Sequence, residues 1–166
     1  YIKALEYDPV NINAINSLAI AYEHENEYDK AISCYKKALE INPLSIEINR
    51  NLANSFFIKG QIDEAISLYR KSINLKPDES ISHNNLASAL KKKGFFDEAI
   101  LEYKNAILLD PKNAIAFFNL GVLFAEMEKP KSAVDAYQQS IKVDPRNVEA
   151  YTNLGIVFQE LGSLEL

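Results

Sequence analysis

The chain has 166 residues, 48% apolar and 25% charged, with a formal net charge of -5. Those proportions exclude a disordered or collagen-like chain, no apolar run reaches the roughly 18–20 residues of a membrane span, and the acidic balance argues against a nucleic-acid partner. Cys34 is the single cysteine and His24 and His83 the two histidines, which leaves no disulfide framework and little material for a metal or acid–base site. The first residues, Ile2-Lys3-Ala4-Leu5-Glu6, run straight into Asp8-Pro9 without a signal-peptide pattern, and a cytoplasmic location is the expectation.

Pro9 is the first of five prolines in register. Pro43, Pro77, Pro111 and Pro145 follow it at intervals of 34 residues, and Pro130 alone stands outside the series. A fixed period of this length is the signature of a stacked repeat array. Counting each repeat from three residues after its proline, residues 1–11 close a preceding repeat with its second helix. Complete repeats occupy 12–45, 46–79, 80–113 and 114–147, and residues 148–166 are the first helix of another. The expected architecture is one continuous solenoid, cut from a longer protein.

Within a repeat the apolar pattern resolves two helices, A and B. In 80–113, Leu86, Ala87 and Leu90 share one face of helix A, and Gly94 ends it as a residue free to take positive φ. Asp97 suits the cap or first turn of helix B. Ala99, Ile100, Tyr103, Ala106 and Ile107 form the apolar face of that helix, and Pro111 closes the unit. Pro130 falls at position 17, near the first turn of helix B, where a missing N–H costs little.

The landmarks recur in step. Position 7 is Leu18, Leu52, Leu86, Leu120 and Leu154; position 8 is Ala19, Ala53, Ala87, Gly121 and Gly155. Position 20 is alanine at Ala31, Ala65, Ala99 and Ala133, and position 24 is Tyr1, Tyr35, Tyr69, Tyr103 and Tyr137. With Pro at 32 and mostly aromatics at 11, this set resembles the tetratricopeptide repeat signature over essentially the whole chain. The resemblance implies an all-α fold, a right-handed α-solenoid of antiparallel helix pairs. The departure is position 4, where the family favours Trp and this chain has Ile15, Asn49, His83, Phe117 and Tyr151.

The resemblance also implies that positions 2, 5, 6, 9, 12 and 13 of helix A line a concave groove. Position 6 is Ser17, Asn51, Asn85, Asn119 and Asn153. An Asn amide carries an acceptor and two donors on a short arm and can bond the backbone of an extended peptide whatever its side chains. Helices pack about 8–10 Å apart and an extended chain advances about 3.3–3.6 Å per residue, so one rung meets roughly every third peptide residue. The same amides can instead bond an adjacent helix or water. Flanking groove residues are Arg50 and Asn54, then Asn84, Ser88, Lys91 and Lys92, then Phe118 with Val122, Ala125 and Glu126. Arg50, Lys91 and Lys92 form a positive spot between acidic Glu23 and the group Glu126, Glu149 and Glu160. It reads either as solvated charge or as a receptor for a carboxylate.

The function expected is therefore a protein–protein interaction scaffold that binds an extended peptide segment through an asparagine ladder. No catalytic residue, cofactor or metal is expected. Glu23 and His24 diverge around their helix, His83 reads as a packing residue, Cys34 as half-buried filler and Lys91-Lys92-Lys93 as a helix end that favours cations. Two alternatives come from the resemblance. Asparagine ladders occur in O-GlcNAc-type glycosyltransferases, whose catalytic domain is absent here, and Asn85-Leu86-Ala87 and Asn119-Leu120-Gly121 are similar to their repeats. Chaperone-tail adaptors hold a carboxylate with a clamp that Arg50, Asn54 and Asn85 resemble in part, while Ile115 and Asn119 stand where further cations belong. The end helix 148–161, with Leu154, Phe158 and Leu161, together with Tyr1 and Leu5, implies weak end-to-end self-association.

Overall fold

In the computed structural model, which describes residues 1–164, ten helices are seen among the described residues and no strand. They are α1 (Ile2–Tyr7), α2 (Ile12–His24), α3 (Tyr28–Ile41), α4 (Ile46–Ile58), α5 (Ile62–Leu75), α6 (Ser80–Lys92), α7 (Phe96–Leu109), α8 (Ala114–Glu126), α9 (Pro130–Val143) and α10 (Val148–Leu164). The even-numbered helices from α2 on are A helices, and the odd-numbered ones are B helices. The chain is an all-α solenoid. It divides into two compact units, an N-terminal one spanning Tyr1–Asp78 and a C-terminal one from Glu79 on. Glu165 and Leu166, which close the expected partial repeat, lie outside the described residues.

Each helix pair closes on small side chains. Ala19 with Ala31 and Ala53 with Ala65 are fully buried in the N-terminal unit, as is Ala87 with Ala99 in the C-terminal one. In the fourth repeat Gly121 and Ala133 are the small residues, and the Tyr137 ring comes so close that a Cβ on Gly121 would lie 2.6 Å from it. The tyrosine at position 24 fills the space beside each pair: Tyr35, Tyr69, Tyr103 and Tyr137 are all buried. Leu86, Ala87 and Leu90 form the buried face read from the sequence.

Two sets of polar residues punctuate the array. Position 34 caps the next A helix wherever it is Asn or Ser: Asn11 accepts from the Ala14 N–H, Ser45 from Ile48, Asn113 from Ala116 and Asn147 from Ala150, while Glu79 makes no side-chain cap on α6. Four N–H groups that would otherwise be orphaned are thereby satisfied. Just ahead, at position 31, Asp8, Asn42, Asp110 and Asp144 each accept from the N–H two residues on, which shapes the turn around the proline. No side chain caps α7, so Asp97 serves in its first turn and not as a cap. There its charge favours the helix N-terminus. Pro130 occupies the first turn of α9, as expected.

The A-to-B loops share one backbone device. Position 15 is left-handed in all four complete repeats, with φ of 60° at Asn26, 78° at Gly60, 82° at Gly94 and 54° at Glu128. The next N–H reaches back to the helix: Glu27 to the Tyr22 carbonyl, Gln61 to Phe56, Phe95 to Leu90 and Lys129 to Phe124. This is a Schellman-type helix end, satisfying carbonyls that the A helix leaves open.

Two of the unusual residues at position 4, Asn49 and His83, make polar bonds. The buried Asn49 amide donates to the Pro43 carbonyl at 3.2 Å and the Ser45 carbonyl at 2.7 Å, tying α4 to its own entry loop. His83 is buried and its Nδ1 lies 2.6 Å from Glu102 Oε2 on α7.

Candidate functional site

The position-6 side chains are half-buried in every repeat, on the exposed side of their A helices. What each touches differs. In the C-terminal unit, Asn119 on α8 donates to Asn84 Oδ1 on α6 at 3.1 Å, and Asn84 donates in turn to Asn85 Oδ1 at 3.2 Å. Asn84 is only 9% exposed, so this residue is a buried link between two rungs and not a groove-facing side chain. Asn153 on α10 donates to the Tyr137 hydroxyl at 3.5 Å. In the N-terminal unit, Asn51 lies near the Tyr35 hydroxyl and opposes the rise that burial imposes on it.

The tyrosines that pack the core thus send their hydroxyls to the face where the asparagines stand. Tyr35 donates to Glu23 at 3.0 Å, Tyr69 donates to Asn54 at 2.6 Å, and Tyr103 lies 3.0 Å from the Ser88 hydroxyl. Asn54 and Ser88, read from the sequence as groove residues, are therefore also anchors for helix B. Glu23 does double duty, because its second oxygen accepts from Ser55 on α4 at 2.6 Å. Burial pushes the Tyr103 hydroxyl up to about 12, with the Glu126 charge adding to the rise and Ser88 opposing it. Burial likewise raises Tyr35, helped by the Glu23 charge, and Tyr69, against the pull of Arg50.

Of the expected cations, Lys91 reaches across from α6 to α8 and pairs with Glu126 at 2.7 Å. Charges that the sequence places in separate patches meet in one ion pair. Lys92 is exposed and Arg50 half-buried. Phe118 packs its ring at 5.9 Å from Tyr137, tilted by 44°. Leu154 and Leu161 pack on the cluster of Ala133, Tyr137 and Val157, so of the three apolar residues expected to be open on α10 only Phe158, 50% exposed, remains so. Cys34 is half-buried and its thiol is pushed up by that burial.

Each unit has a hollow. The one in the N-terminal unit, about 420 Å³, is formed by the entry loops of α2 and α4; Asn11, Asn42 and Ser45 in its wall are engaged in caps and turns. The one in the C-terminal unit, about 220 Å³, lies between α8 and α10. Val122, Ala125, Ile156 and Val157 make its apolar floor, with the Asn153 amide and the Tyr137 ring beside them and Glu126 and Glu160 at its edge. Tyr137 stood out in the sequence only as one of the recurring tyrosines at position 24, and the part played by its hydroxyl was missed. The available signal was its recurrence at position 24, since a buried tyrosine hydroxyl needs a partner. Among the described residues no helix is long and apolar enough to cross a membrane.

Solved structures with this architecture include MamA, 26% identical over 87% of this chain and 84% of that one, with a TM-score of 0.78. The Pseudomonas aeruginosa pilF structure is 23% identical over 92% of this chain and 69% of that one, at 0.83, which speaks for the fold alone. The first TPR of Spaghetti (RPAP3), bound to the HSP90 peptide SRMEEVD, is 26% identical over 70% of this chain and 93% of that one, at 0.68. No curated protein matches the chain. Family models match along its length: a TPR repeat at 53–94, 88–128 and 129–162, and a tetratricopeptide repeat at 12–43 and at 34–67. With more than half of its residues matched, the chain belongs to the tetratricopeptide repeat family.

Proposed function

We propose that this chain is a protein-interaction scaffold whose A-helix face binds an extended peptide segment, with Asn85, Asn119 and Asn153 as rungs in the C-terminal unit and Asn51 as a rung in the N-terminal one. The observation that carries the reading is the half-buried state of these amides. Asn84 orients the Asn119 amide and the Tyr137 hydroxyl the Asn153 amide, while an Asn side chain has two donors and two acceptor lone pairs. A rung held by Asn84 or Tyr137 offers its remaining capacity at a fixed place, which lowers the ordering cost of binding. At about 0.5–1.5 kcal/mol per bond, the three rungs of the C-terminal unit give modest affinity, and neighbouring side chains supply specificity. The likeness to a repeat protein solved with a bound peptide supports the same use of the fold.

An acidic chaperone tail is not the proposed ligand. Ile115 and Asn119 occupy the positions where its carboxylate clamp has cations, and Glu126 and Glu160 border the adjacent hollow. The test is capture of interacting peptides from a random array by the wild type, by Asn51→Ala and by Asn85/Asn119/Asn153→Ala, each checked by thermal melting. Wild-type capture lost in a variant that still melts cooperatively is the expected result. Equal capture by all three removes the asparagines from the mechanism.

A further inference from the structure

The hollow between α8 and α10 has a chemistry of its own. Its floor of Val122, Ala125, Ile156 and Val157 is apolar, and Ile156 is 49% exposed, so the floor is open to a ligand. The charged groups among its lining residues are Glu126 and Glu160, both acidic. Burial raises the Tyr137 hydroxyl, and the charges of Glu126 and Glu160 add to that rise, so the edge of the hollow is acidic. Asn153 completes the wall and is one of the proposed rungs. Lys91, from the neighbouring A helix, already sets its ammonium against Glu126 at 2.7 Å. The chain itself thus shows what this carboxylate attracts.

The geometry points to a specificity subsite here for a lysine or arginine side chain of the bound peptide, its aliphatic stem on the Val122–Ala125–Ile156 floor and its cationic head between Glu126 and Glu160. A long basic side chain is the residue type that offers both an apolar stem and a charged tip. A carboxylate repels this edge, and a purely apolar side chain leaves it unanswered. Lys91 is then an internal competitor, and an incoming cation shares or displaces its hold on Glu126. The inference rests on the groove reading above and adds the chemistry of one peptide position.

The experiment uses three short peptides of the same length with lysine, norleucine or glutamate at the central position, titrated into the isotopically labelled chain. The backbone resonances of Val122, Ala125, Ile156 and Val157 are followed. The lysine peptide is expected to saturate at a concentration about threefold to fivefold lower than the norleucine peptide, the scale of a single exposed ion pair, and the glutamate peptide last. Salt weakens the preference. Glu126→Gln/Glu160→Gln abolishes it while norleucine binding is unchanged, and Lys91→Met increases it by freeing Glu126. Equal saturation by lysine and norleucine, or a preference that survives the double substitution, overturns the subsite. If peptides bind through the asparagines with no lysine preference, the subsite falls alone; if no peptide shifts these resonances, the subsite falls, and the array experiment decides the groove separately.

Discussion

Glu128 occupies a left-handed backbone position that glycine fills in two sister repeats, and replacing it tests the loop design directly. With φ of 54°, its Cβ crowds the following carbonyl, a conformation that costs an L-residue about 1–2 kcal/mol. Glycine removes that cost but loses about 0.4–1 kcal/mol because its unfolded chain is freer. The Glu128 side chain is exposed, so little contact is forfeited. Glu128→Gly is therefore expected to stabilise the chain by about 0.5–1 kcal/mol, which raises the melting temperature by about 1–4 °C for a protein of this size. Circular-dichroism melts and urea titrations of four proteins decide it: wild type, Glu128→Gly, Glu128→Ala and Gly94→Ala. The alanine at 128 keeps the Cβ and gains nothing. Gly94→Ala loses a similar amount, although its new methyl group meets no atom within 4 Å, because the loss lies in the backbone alone. A Glu128→Gly protein no more stable than wild type, or an equal gain from Glu128→Ala, refutes the reasoning.

Two more outcomes follow from the packing. Ala99 is fully buried between its two helices, and Ala99→Leu is expected to cost about 1–3 kcal/mol by overpacking; an unchanged urea midpoint contradicts that placement. The buried tyrosines make the fold sensitive to alkali. An unfolded tyrosine ionises near 10, whereas Tyr103 in the folded chain is pushed up to about 12, so folding holds the neutral form. That contribution is complete below pH 10 and is lost as pH rises towards 12. The urea midpoint is expected to fall across this window, less steeply in Tyr103→Phe, and a flat profile in the wild type speaks against it.

The fold was legible because a repeat writes the same steric instruction many times. Ala at 20, a small residue at 8 and Tyr at 24 recur whatever surrounds them, and one helix pair read from 80–113 serves for all. Gly94 declared its own φ, but Glu128 did not, because its conformation is imposed by the loop. The caps at position 34 were also in view, as Asn11, Ser45, Asn113 and Asn147, although the regularity shows only once the helix starts are known. The site was less legible. Asn84 and Arg50 share a repeat position, yet one is buried and the other half-buried. The bond from Asn119 to Asn84 joins residues 35 apart and depends on rotamers that no periodicity encodes. The Lys91–Glu126 pair is hidden for the same reason.

The hydroxyl bonds of the position-24 tyrosines give the groove an optical signature. The chain contains nine tyrosines and no tryptophan, so its near-ultraviolet emission comes from phenol rings alone. Emission from such a ring responds to what its hydroxyl bonds. Tyr137 touches Asn153, and Tyr35 lies near Asn51, so an amide drawn towards a ligand changes the surroundings of a buried fluorophore. Binding at the proposed rungs is therefore expected to change the emission of the unlabelled protein, with Asn153→Ala silencing the reporter at Tyr137 and leaving the one at Tyr35.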